Sequence, residues 1–110
     1  EQLTYTVQNM LPAQLAQLRT RLQPAMSRLA LGARVLVLAP LQAGSAPAAA
    51  AVAGVEGFVR SLAKEIGRRG ATANLLQVPD SLDTAALAPL LDFFGSARSA
   101  YVSGQVLRLQ

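Results

Sequence analysis

Few side chains in this chain could do chemistry. Among its 110 residues there is no cysteine and no histidine, which removes thiol nucleophiles, disulfides, zinc sites and imidazole acid–base catalysis. Carboxylates, basic side chains and two phenols remain. Asp80, Asp83 and Asp92 are expected at a turn, at a helix cap and on a helix face. A cation site needs several converging oxygens, and nothing in that spacing makes these converge, so no metal site is expected. Glu56 and Arg60, and Glu65 and Arg69, stand four residues apart with the acid first. That is the better orientation for a helical ion pair, worth about 0.2–0.5 kcal/mol, and both read as surface pairs rather than catalytic carboxylates. Arg60, Lys64, Arg68 and Arg69 make a basic run that would suit an acidic partner or complement the negative end of a helix dipole. Tyr5 and Tyr101 are followed four residues on by Asn9 and Gln105, so neither phenol has a lysine one helical turn away.

The elements that would position these groups follow from hydrophobic period. Leu3 to Val7 alternates apolar and polar, and Leu11, Leu15, Leu18, Leu22, Met26 and Leu29 then recur at intervals of three and four. This predicts a short strand feeding an amphipathic helix over about 12–30, with Pro12 in its first turn and Pro24 kinking or breaking it. Arg34 to Ala39 is a continuous apolar run, the pattern of a strand buried on both faces. A loop over 41–47 leads to a long helix over 48–67, stopped by Gly67 and Gly70. A strand over 72–78 follows, then a turn around 79–82 and a helix from Thr84 to Phe94, with Asp83 as cap and Gly95 as stop. A last strand over 105–109 closes the order βαβαβαβ. The expected fold class is α/β: a partial Rossmann-like or flavodoxin-like doubly wound parallel sheet, with right-handed crossovers as the default. Leu36, Leu38, Val55, Phe58, Leu62, Leu75 and Phe94 are the expected core.

Composition narrows the partners. The net charge of +4 includes Arg19, Arg21, Arg28 and Arg34, but these are dispersed through apolar helical pattern without interleaved aromatics, so no nucleic acid is expected. The apolar stretch over 46–55 is too short to span a bilayer, and no basic-then-apolar signal region opens the sequence; no membrane partner is expected, and a cytoplasmic location is.

One segment carries a specific resemblance. Ala53 to Gly67, AGVEGFVRSLAKEIG, closely resembles the helix after the active-site tyrosine in short-chain dehydrogenases/reductases, especially 3-oxoacyl-ACP (beta-ketoacyl) reductases, where Y-x-x-x-K runs into A-G-[VL]-x-G-[FL]-x-[RK]-S-L-A-[KR]-E. ALGARVLVLAP resembles the family's G-x-R-I-V-x-I-S strand. GATANLLQV resembles G-I-x-V-N-x-V-x-P-G, with Asn74 at the asparagine, and FFGSARSAYVSGQVLRL resembles F-L-x-S-x-x-A-x-Y-[IV]-[ST]-G-Q-x-L-x-V. Together these cover roughly residues 29–109. The tyrosine position falls on Ala48, the lysine position on Val52 and the serine near Ala39 or Pro40. In the family the tyrosine donates a proton while the lysine lowers its pKa and holds the cofactor ribose; alanine and valine can do neither. The family's glycine-rich turn T-G-x-x-x-G-x-G, which offers amides to a pyrophosphate, has no counterpart in these residues.

The resemblance therefore implies residues 1–110 as a single degenerate reductase-like α/β domain or its C-terminal half, lacking the glycine-rich cofactor-binding half. It is most like the degenerate N-terminal domain of high-molecular-weight 3-oxoacyl reductases. No catalytic and no cofactor-binding residue is expected in this chain, while NAD(P)H is implied for the parent family. Ala46, Ala50, Ala53, Gly57 and Ser61 form a small-residue stripe on one face of the long helix. The resemblance implies packing of that helix across a homo-oligomer or on a catalytic reductase domain; packing on the chain's own sheet is the competing expectation. The leading expectation is a non-catalytic structural or oligomerisation domain of a 3-oxoacyl-ACP (or -CoA) reductase of fatty-acid metabolism. The alternatives are part of an active NAD(P)-dependent reductase completed by another segment or chain, and an acyl-carrier-protein docking module using Arg60, Lys64, Arg68 and Arg69.

Overall fold

Residues 34–40 and 72–78 are buried at every position but the last, and in the computed structural model they are the two central strands of one sheet. The structure describes residues 2–6, 32–41, 44–79 and 84–109. The expected helix over 12–30, Asp80 and Asp83 lie outside them. Strands β1 (Gln2–Thr6), β2 (Arg34–Pro40), β3 (Thr72–Val78) and β4 (Val106–Arg108) form a sheet in the order β1-β2-β3-β4, every neighbouring pair parallel. The register sets Val37 beside Leu75 and Ala39 beside Gln77.

Period 2 in β2 and β3 sends alternate side chains to two cores. Val35, Val37, Ala39, Ala73 and Leu75 face helix α1 (Ala46–Ile66), which contributes Ala51, Val55, Val59, Leu62, Ala63 and Ile66. Leu36, Leu38 and Leu76 face helix α2 (Thr84–Gly95), which contributes Leu87 and Phe94. Of the expected core, Leu36, Leu38, Val55, Leu62, Leu75 and Phe94 are buried. Phe58 is a correction: it is only half-buried, at the margin of the α1 core.

α1 starts where chain chemistry favours it. Ser45 is its N-cap, with Oγ accepting the Ala48 N–H at 3.2 Å, and Pro47 occupies the first turn. Gly67 ends the helix with ordinary right-handed angles, and a 3-10 turn (Gly67–Arg69) follows. The left-handed residue is Gly70, at φ 67°, whose N–H bonds the Gly67 carbonyl at 3.0 Å. Only Gly70 of the two expected stop residues needs to be glycine.

The crossovers correct a second expectation. The β2–β3 and β3–β4 connections each step one strand the same way across the sheet, yet α1 and α2 lie on opposite faces. Two such connections must have opposite hands, so one is left-handed against a preference of about 98%. The second apolar face supplies the reason. Leaving Leu36, Leu38 and Leu76 in water would cost roughly 1.5–3 kcal/mol each, and α2 covers them.

Candidate functional site

The first turns of α1 stand at the carboxyl end of β2, the place where open α/β sheets bind ligands. Here the structure puts Ala48 and Val52, each 8% exposed, and Ala39, 1% exposed, with Pro40 half-buried. None of these side chains can donate a proton. The amides of the helix start are also occupied: Pro47 has no N–H, Ala48 N–H goes to Ser45 Oγ, and Ala49 N–H goes to the Ser45 carbonyl at 2.9 Å. These side chains supply neither the proton donor nor the ribose-holding cation that the reacting half of a nicotinamide cofactor needs. One polar group at this end was not anticipated from sequence. Gln77, in register with Ala39, is 8% exposed, and its Oε1 accepts no hydrogen bond among the described residues. A glutamine directly after the apolar pair Leu75–Leu76 is the signal that could have marked it.

The outer face of α1 is a different surface. Ala46, Ala50, Ala53, Gly57 and Ser61 are all exposed. A Cβ added at Gly57 would meet nothing within 4 Å. The competing expectation, that this stripe packs on the chain's own sheet, is overturned: the sheet takes the opposite side of the helix, through Val55, Val59 and Leu62. Tyr101 is also fully exposed, the one large hydrophobic so placed among the described residues.

The basic run divides. Arg60 and Lys64, exposed on α1, line a depression of about 380 Å³ with Ala63, Ser103 and Gly104. Arg68 and Arg69 fall beyond them on the 3-10 turn, and neither lines it. Arg60 bonds Glu56 Oε1 at 3.3 Å through Nη2 and the Gly104 carbonyl at 3.3 Å through Nη1. Arg108 also approaches Glu56, at 3.9 Å. Asp92 pairs with Arg98 at 3.4 Å on an exposed surface. Among the described residues no group of three acidic side chains could hold a metal ion, and no helix is long and apolar enough to cross a membrane.

The depression's far wall, Ser103 and Gly104, belongs to a loop over 102–105 that buried Asn74 holds. Its Nδ2 donates to the Val102 carbonyl at 2.9 Å and its Oδ1 accepts the Gln105 N–H at 3.1 Å. Ser103 Oγ accepts the Ala73 N–H at 3.2 Å, and Gly104, at φ 71°, donates to the Ala73 carbonyl at 2.7 Å. Asn74 thus ties strand to loop. Arg34, read from sequence as one more dispersed charge, is in fact 9% exposed and gives its guanidinium to the carbonyls of Gly32, Ala33, Gly70 and Ser96 at 2.7–3.3 Å. It joins the amino ends of β2 and β3 to the end of α2.

This architecture is a partial Rossmann-like α/β unit with a parallel sheet between helices. No protein-family model matches the chain, and no curated protein matches it. Among solved structures it is similar to a short-chain dehydrogenase/reductase from Serratia marcescens, with a TM-score of 0.73 and 17% identity, covering 91% of this chain and 56% of that one. It is similar also to a blue fluorescent protein from a metagenomic library, described in complex with NADPH, with a TM-score of 0.67 and 23% identity, covering 81% of this chain and 48% of that one. At these identities the likeness is one of fold alone. The chain spans about half the length of these solved structures.

Proposed function

We propose that this chain is a non-catalytic structural domain of a reductase of the 3-oxoacyl-ACP (or -CoA) type, holding a homo-oligomer together or docking on a catalytic reductase domain through the outer face of α1. The observation that carries this reading is the free small-residue stripe on a helix whose other side is fully buried. A mid-helix glycine costs about 0.5–1 kcal/mol relative to alanine. Among the described residues a Cβ at Gly57 would meet nothing within 4 Å, and on this reading the compensating contact belongs to a partner backbone. The replacement of every proton-transfer position by an apolar side chain supports the non-catalytic part. On this reading the whole protein uses NAD(P)H in the cytoplasm, in fatty-acid metabolism, and residues outside this chain hold the cofactor. A second reading, an acyl-carrier-protein docking module, draws on the exposure of Arg60, Lys64 and Arg68.

Sedimentation equilibrium of the chain and of Gly57→Leu tests the leading reading. The leucine side chain has room in the monomer, so folding should survive while close helix approach is lost. Self-association is expected to weaken by about 1–3 kcal/mol from overpacking. An oligomer of undiminished strength in Gly57→Leu removes α1 from the interface.

A further inference from the structure

The depression beside α1 has a one-sided hydrogen-bonding character. Its lining contains two cations and a hydroxyl, Arg60, Lys64 and Ser103, over a floor of Ala63 and Gly104, and no acid among the described residues. The nearest acid in the hydrogen-bond network, Glu56, is turned to Arg60 and Arg108. Each lining polar group still has protons to give. Lys64 makes no hydrogen bond or ion pair among the described residues. Ser103 Oγ accepts from Ala73 and gives its own proton to no acceptor there. Arg60 commits one Nη1 and one Nη2 proton of the five N–H groups a guanidinium carries. The acceptors at hand are used: the Gly104 carbonyl takes Arg60, and the Ser103 carbonyl takes Gln105 Nε2 at 3.2 Å.

From this we infer an oxyanion-binding site for a phosphoryl group, either free phosphate or a phosphomonoester, held by Arg60, Lys64 and the Ser103 hydroxyl. Arg60 and Lys64 stand one helical turn apart on one wall, and Ser103 comes from the loop opposite. Donors from separate directions suit a tetrahedral oxyanion, whereas a planar carboxylate is best met by one undivided guanidinium fork. Arg60 has already divided its fork. The volume of about 380 Å³ lies near the lower end of small-molecule sites, roughly 300–1,000 Å³, which leaves room for a short ester substituent. Gly104 keeps the floor low: its φ of 71° is one that side-chain-bearing residues rarely adopt, and a Cβ there would stand 3.6 Å from Ala63 Cβ. The site lies at the amino end of β3, away from the carboxyl edge where open α/β sheets bind nucleotides, and does not depend on the oligomeric reading above.

The test is an amide-resolved NMR titration of the 110-residue chain with inorganic phosphate, with glycerol 3-phosphate and with glycerol, at constant ionic strength held by sodium chloride. Saturable shifts confined to residues around 60–64 and 102–105 are expected with both phosphates and none with glycerol. Tighter binding of the ester marks a phosphomonoester site, and equal binding a free-phosphate site. Lys64→Ala and Ser103→Ala combined should weaken binding at least about tenfold, the loss of one charge-assisted hydrogen bond being worth about 1.5 kcal/mol or more. Lys64→Ala alone, on an exposed side chain, guards against a folding defect at Ser103. Glu56→Gln should tighten binding by withdrawing the neighbouring negative charge. Shifts spread evenly over all arginines and lysines, or an affinity unchanged in Lys64→Ala, would overturn the site.

Discussion

The two sides of α1 obey different rules. Inward, Ala51, Val55, Val59, Leu62 and Ile66 are between 0% and 2% exposed and graded in size to fill the space over β2 and β3. Outward, Ala46, Ala50, Ala53, Gly57 and Ser61 carry almost no side-chain volume and touch solvent. A helix that only needed to cover its sheet would be polar and long-chained on its outer side, because Lys, Glu and Gln favour helix and solubility at little cost. The small outer side chains are the feature from which the proposed contact with a partner is argued, while Arg60, Lys64 and Glu65 keep the rest of the exposed surface polar. The inner ones express the fold itself.

The contrast breaks most sharply at Leu62. Truncation to alanine on the inner side should cost about 2–5 kcal/mol, the lost transfer energy plus an unfilled cavity, read as a lowered urea midpoint at constant m. A cost below about 1 kcal/mol would mean that the inner side is not close-packed and that the two sides differ less than their exposures indicate.

Next in size is the loop that the inner packing supports. Asn74→Ala removes both bonds that position residues 102–105, leaving the Val102 carbonyl and the Gln105 N–H without their partner. A loss of about 1–3 kcal/mol is expected, with faster amide exchange at Gln105 than in the wild-type chain. Unchanged exchange would show that the β3–β4 ladder alone holds the loop.

Much of this was readable in the sequence because it depends on local pattern. The continuous apolar run of β2 and the three-and-four spacing of α1 set the elements to within a residue or two at Arg34–Pro40 and Ala46–Ile66. What escaped depends on which face of the sheet an element reaches. Period alone says that Leu87 and Phe94 share a side of α2; it does not say that this side lies across the sheet from α1, so the opposed hands of the two crossovers were hidden. Gly57 was expected on a packed stripe, and among the described residues a Cβ there would meet nothing within 4 Å, since a sequence does not distinguish the side facing its own sheet from the side left free. Arg34 was hidden for a related reason. Its partners are main-chain carbonyls of Gly32, Ala33, Gly70 and Ser96, and carbonyls have no letter in a sequence.

A smaller effect of opposite sign sharpens the comparison on the outer side. Gly57→Ala should stabilise the monomer by about 0.5–1 kcal/mol, since alanine restricts the unfolded chain and suits the helix interior, and the new Cβ meets no atom. Thermal melts at concentrations low enough to dissociate any oligomer would check it. Destabilisation there would reveal a contact on a face that is otherwise free.

The smallest expected change is at Glu56, which lies between the two sides and is paired with Arg60 at 3.3 Å and Arg108 at 3.9 Å. Two partners for one carboxylate look substantial, but Arg60 and Arg108 have side chains 54% and 57% exposed, and water and salt screen such pairs. The Arg60 pair has the favourable acid-first spacing, worth about 0.2–0.5 kcal/mol in an isolated helix. The Arg108 contact is at the outer limit of an ion pair and adds less. Glu56→Gln should therefore lower stability by no more than about 0.5 kcal/mol at low salt, and the difference should shrink as sodium chloride is raised. A salt-independent loss several times larger would show that Glu56 acts by fixing α1 against β4 through packing and hydrogen bonding rather than through charge. The margin between the two sides of α1 would then be a third structural surface in its own right.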